Sequence, residues 1–144
     1  MKKQSAIDII SFLFIVLFIY AATSKLMDFE KFSVQIGQSP LLTPFAPLIA
    51  VMIPTVEILV SVALGIERLR LLGLYASFFL MVMFTTYIIM ILNFSTYIPC
   101  SCGGVLEKLG WSGHLYFNIT FTLLGYFGIL LASRSKDQKT PVTE

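Results

Sequence analysis

Four stretches of this chain are long, apolar and almost free of charge, at residues 7–24, 45–66, 71–94 and 114–133. Asp8 sits at the lip of the first, and Glu57 is the one ionisable residue inside the second. All four are rich in Leu, Ile, Val and Phe and show no alternation of period two. That pattern predicts bundle helices facing lipid; a membrane barrel needs alternating segments of roughly ten residues. A helix crosses about 30 Å of hydrocarbon with about 20 residues, so each stretch is long enough to span. The connections are polar. In the first, residues 25–43, Phe29, Phe32 and Ile36 lie three and four apart, which predicts a short amphipathic helix on the membrane surface. Pro40, Pro44 and Pro47 end that helix and start the second span. Glu67-Arg68-Leu69-Arg70 is a tight turn between spans two and three, and residues 95–113 form a longer loop. Residues 1–133 therefore read as one transmembrane domain, followed by a polar tail over 134–144 that is expected to be mobile. Lys2 and Lys3 before an apolar run imitate a secretory signal. The run is too long, Asp8 interrupts its start and no A-x-A site follows, so the segment is read as a retained first helix.

Composition narrows the class. Of 144 residues, 57% are hydrophobic and 12% charged, against roughly 45–50% and roughly 25% in soluble domains. So little charge excludes a soluble globular enzyme and a disordered chain. A net charge of +2, scattered along the sequence, excludes a phosphate-backbone footprint and with it nucleic-acid binding. Four spans take about 80 residues, leaving no room for a soluble domain. The expected fold is an all-α, integral membrane four-helix bundle.

The basic residues orient it. With the N-terminus inside, Lys2, Lys3, Arg68, Arg70, Arg134, Lys136 and Lys139 are cytoplasmic, and Lys25, Lys31 and Lys108 are external. Both termini are then expected in the cytoplasm of a bacterial inner-membrane protein, with residues 25–43 and 95–113 on the periplasmic side. Tyr97 and Trp111 suit an interfacial belt there.

That outer loop carries the two cysteines of the chain, Cys100 and Cys102, in Pro99-Cys100-Ser101-Cys102-Gly103-Gly104. A C-x-C disulfide closes a minimal ring, contributes little through loop closure and is strained, hence easily reduced. Pro99, Gly103 and Gly104 favour a tight turn with accessible sulfurs and close approach of another backbone. Three readings stay open: unreactive loop thiols, Cu(I) handling with help from Met81, Met83 and Met90, and electron exchange with a partner thiol, which is the preferred one. Two thiolates without His make no complete zinc site, and no metal is expected.

Supporting candidates follow from position. An intramembrane carboxylate such as Glu57 is a functional candidate by default, its bland alternative being a protonated Glu bonded to a neighbouring helix. Pro54 is expected to bend the second span. Lys25, ending the first span, either snorkels to the surface or lowers a nearby thiol pKa. His114 either relays a proton or marks the start of the fourth span in contact with water, with Ser112 as its N-cap. Asn118 reads as interhelical glue or a polar site group. Ser61/Gly65 and Gly73/Ser77 have the spacing of close helix packing.

Taken together, Ser24-Lys25-Leu26-Met27-Asp28-Phe29 with Phe32, then Pro54-x-x-Glu57, then Cys100-x-Cys102-Gly103-Gly104 resemble the MauE/DoxX family of redox-associated membrane proteins. The block from Cys100 to Asn118, with Glu107-Lys108-Leu109-Gly110-Trp111, is similar to its Bacteroidetes-type members. The resemblance implies a four-helix bundle, disulfide chemistry with a periplasmic thioredoxin-like partner or disulfide substrate, and a membrane quinone as cofactor, by analogy with the quinone-linked disulfide-forming enzymes. The expected function is thiol–disulfide oxidoreduction through Cys100 and Cys102. The rival expectation is a non-enzymatic membrane subunit or transporter-like scaffold.

Overall fold

A computed structural model describes residues 2–38, 42–94 and 110–137. Every regular element among them is helical: α1 (Lys2–Met27), α2 (Phe29–Gly37), a 3-10 turn (Thr43–Phe45), α3 (Ala46–Gly65), α4 (Arg70–Phe94) and α5 (Gly110–Asp137). The expected bundle is thus present, with α1, α3, α4 and α5 as four helices long and apolar enough to cross a membrane. At most 33% of the apolar stretch of any span is buried. Ile9, Phe12, Val16 and Ile19 on α1, like Leu72, Tyr75 and Phe79 on α4, point outward. Faces of that kind are covered by a lipid bilayer.

Two helix limits depart from the hydrophobic pattern. α5 starts at Gly110, so Ser112 lies inside its first turn and is not the N-cap, and His114 stands one turn into the helix. The cause is Gly110, whose φ of 70° is the left-handed conformation that costs an L side chain about 1–2 kcal/mol and glycine almost nothing. At its other end α5 continues to Asp137, into the polar segment, with Arg134 and Lys136 in the last turn opposing the helix dipole.

The spans pack in a ring in chain order. α1 lies on α3 and α5, α4 lies on α3 and α5, and the backbones of α3 and α5 do not meet across the diagonal. The core holds fully buried Phe14 and Phe18 of α1, Leu64 of α3 and Leu74 of α4. Aromatic rings form a column along α1 and α5: Phe14 stacks on Phe18 at 5.8 Å, meets Phe121 edge-on at 5.5 Å, and Phe121 contacts Phe117 at 4.6 Å. Near the α3–α4 turn the helices are tight. A Cβ on Gly73 would stand 3.0 Å from the backbone nitrogen of Leu64, and one on Gly128 would stand 3.0 Å from Ile10. Ser77 lies buried beside Gly73, as the small-residue spacing predicts, whereas Gly65 faces open space and takes no part in packing. Buried Ser61 and Ser77 donate to the carbonyls of Glu57 and Gly73, satisfying their hydroxyls within their own helices.

The predicted amphipathic helix is α2, but its apolar face is not left for the lipid surface. Phe32 and Ile36 are buried against Ala46 and Ala50 of α3. Thr43 Oγ1 donates to the carbonyl of Gly37 at 2.8 Å and closes the link to the 3-10 turn. Pro44 in that turn and Pro47 in the first turn of α3 preset the backbone where no helical amide partner is required. α2 thereby leans on α3 and α1, while its backbone does not approach α4 or α5.

Candidate functional site

The gap left by α2 is a cavity of about 520 Å³ at the end of the bundle away from the α3–α4 turn. Its wall comes from the second half of α1, the first half of α3, the second half of α4 and the start of α5, with α2 as a roof. Most of the lining is apolar, and the volume falls within the range of roughly 300–1,000 Å³ typical of small-molecule sites. Lys25, Glu57, His114 and Asn118 line it, together with polar Ser24, Asp28, Lys31 and Gln35.

Lys25 and Glu57 are joined. Lys25 Nζ donates to Glu57 Oε1 at 2.5 Å, the lysine side chain 11% and the carboxylate 0% exposed. Lys25 stands in the last turn of α1, and its flexible four-carbon stem carries the ammonium inward to mid-α3. The snorkelling expected of it is therefore corrected, because a buried carboxylate attracts the ammonium more strongly than the surface does. Glu57 is bonded to a neighbouring span, as its bland alternative had it, and the partner there is the Lys25 ammonium. Two rings complete the ammonium's surroundings, Phe84 of α4 at 5.4 Å and Phe32 of α2 at 5.8 Å. Each ring face offers negative potential to the cation, so four helices supply its environment.

The carboxylate is only half used. Glu57 Oε2 is buried and has no hydrogen-bond partner among the described residues. Buried polar atoms without partners are rare and costly. Pro54, buried one turn earlier, removes the amide from which the Ala50 carbonyl would accept. The helix backbone is thus loosened beside the carboxylate.

α5 forms the opposite wall. Asn118 is 4% exposed, and its amide nitrogen donates to the His114 carbonyl at 3.1 Å, a bond within its own helix rather than across to a neighbour. Half-buried Trp111 and Phe117 line the same cavity. Trp111 is thus placed in the site as well as at the end of a span. Phe84 and Tyr87 of α4 also line it and carry no signal in the sequence beyond their apolar context. Met81 and Met83 line the cavity too.

Cys100, Cys102, Pro99, Gly103 and Gly104 lie outside the described residues, as does Tyr97. In the sequence they fall between Phe94, the last residue of α4, and Gly110, the first of α5.

The family model described as methylamine utilisation protein MauE matches residues 3–131. No curated protein and no solved structure matches the chain.

Proposed function

Starting from the MauE family, to which the chain belongs, we propose that this multi-pass membrane protein is a thiol–disulfide redox protein working through Cys100 and Cys102. In the exchange, one cysteine of a thioredoxin-like partner attacks the Cys100–Cys102 disulfide as a thiolate and forms a mixed disulfide. The partner's second thiolate then breaks that bond. The partner leaves as a disulfide and Cys100 and Cys102 as a dithiol. Two electrons and two protons have changed owner, and run backwards the same steps reduce the partner.

The observation that supports this reading is the cavity lined in part by α4 and α5, with a buried ion pair beside it; in the sequence the two cysteines fall between those helices. A buried ionisable pair beside a cavity suits a site that moves protons with electrons. The seven-to-three division of basic residues favours a bacterial inner membrane with this segment on the periplasmic side, the compartment where disulfides persist.

The test uses the full chain in its membrane. Replacing one cysteine at a time with Ser should trap a mixed disulfide with the partner, visible on non-reducing gels and absent in the Cys100→Ser/Cys102→Ser double variant. External alkylation should label the pair only after reduction. If the double variant supports disulfide formation as the wild type does, the chain is a scaffold.

A further inference from the structure

α2 contributes Asp28, Lys31, Phe32, Gln35 and Ile36 to the cavity lining as its roof, yet its backbone is docked on one side. It approaches α1, α3 and the 3-10 turn and reaches neither α4 nor α5. Of the nine residues of α2, Phe32 and Ile36 are buried, and both rest against Ala46 and Ala50 of α3. A helix of that length is marginal by itself in water, so α2 depends on what it is docked against. Segments with few buried apolar contacts lie at the low end of local stability, from which lids are drawn.

The ends of α2 and one contact between them define how it is held. Asp28 alone separates α1 from α2, and its φ of −113° and ψ of 48° are not helical, so the chain changes direction at a single residue. At the other end the bond from Thr43 Oγ1 to the Gly37 carbonyl ties α2 to the 3-10 turn. Between these ends the Phe32 ring meets the Lys25 ammonium at 5.8 Å. Lys25 is kept there by Glu57 of α3. Without that carboxylate its flexible stem would carry the ammonium out toward water.

We propose that α2 is a lid over the cavity, hinged at Asp28 and latched by the Phe32 ring on the Lys25 ammonium, with Glu57 as the residue that positions the latch. The ion pair thereby serves the roof as well as the junction of α1 with α3. The lid does not rest on the thiol–disulfide reading.

Pulsed electron paramagnetic resonance on the full chain in lipid vesicles tests it. Cys100→Ser/Cys102→Ser removes the native thiols, so spin labels attach only to introduced cysteines and the lid is measured apart from any thiol chemistry. Val34→Cys/Tyr116→Cys labels exposed positions on α2 and α5, and Phe12→Cys/Phe79→Cys labels exposed positions on α1 and α4 as a reference for the frame. The α2–α5 distance should show a docked position and a minor displaced one. Phe32→Leu keeps an apolar side chain on α3 and removes the ring, so the displaced fraction should rise about fivefold. Lys25→Met/Glu57→Leu removes the cation, leaves Phe32 in place and should give a similar rise. Phe32→Tyr keeps the ring and should match the parent chain. The α1–α4 distance should stay the same throughout. A single α2–α5 distance in the parent and all variants overturns the proposal. So does a rise with Phe32→Leu that the charge-free variant lacks, a Phe32→Tyr effect equal to that of Phe32→Leu, or a shift shared by the α1–α4 pair, since α2 then does not move by itself.

Discussion

Arg70 at the start of α4 holds Asp8 near the start of α1 at 2.6 Å, at the opposite end of the bundle from the Lys25–Glu57 pair. α1 is thus fastened at both ends, to α4 by its acid and to α3 by its base. The two fastenings differ in surroundings. Asp8 is 52% exposed, whereas Glu57 is 0% exposed. Exposed pairs are screened by water and salt and contribute about 0–1 kcal/mol. Asp8→Asn removes the acid's charge and leaves the bond from Arg70 Nε to the Leu64 carbonyl in place, so it should lower stability in detergent by under about 1 kcal/mol, with the difference shrinking as salt is raised. A larger loss that ignores salt would assign Asp8 a different role.

Lys25→Met should behave otherwise. It strands the Glu57 carboxylate in the interior, where breaking a buried pair costs about 3–5 kcal/mol. Lys25→Met/Glu57→Leu removes both charges and should recover most of that loss, because no ion then remains to be desolvated. Unfolding of the two variants and the wild type by a denaturing detergent checks this. A double variant no more stable than Lys25→Met would mean that the pair is not what holds α1 to α3.

The two small-residue pairs should separate sharply under substitution. Gly73→Val places a branched side chain 3.0 Å from the Leu64 backbone nitrogen, an atom that cannot step aside, and should cost about 1–3 kcal/mol or more. Gly65→Ala meets nothing within 4 Å and should shift stability by less than about 0.5 kcal/mol. Thermal unfolding in micelles distinguishes them.

Phe14 is wholly buried and touches two other rings of the aromatic column. Phe14→Ala should cost about 3–5 kcal/mol through lost contacts and the hole left behind. Thermal unfolding in micelles measures the loss.

These contrasts also mark what was legible in the sequence. The spans were legible because apolarity runs all round each helix, and the amphipathic spacing of Phe32 and Ile36 announced α2. The face that α2 turns to α3 was not, since lipid and a neighbouring helix are equally apolar partners. Lys25 and Glu57 each stood out as charges at costly positions, but their pairing joins residues 32 apart in sequence and depends on the register of α1 against α3, which periodicity does not set. Gly65 and Gly73 have the same spacing signature, and only the crossing of the helices separates the packed one from the open one. The start of α5 hinges on the left-handed Gly110, which the hydrophobic pattern ignores.

The reach of Lys25 to Glu57 bears finally on how the chain is made. Ribosomes deliver α1 before α3, so the lysine is already in place when the glutamate emerges. A span with a mid-helix carboxylate enters hydrocarbon reluctantly on its own, and it enters more readily beside a cation that is waiting for it. With the charges matched between α1 and α3, neither span brings an unpaired ion into hydrocarbon.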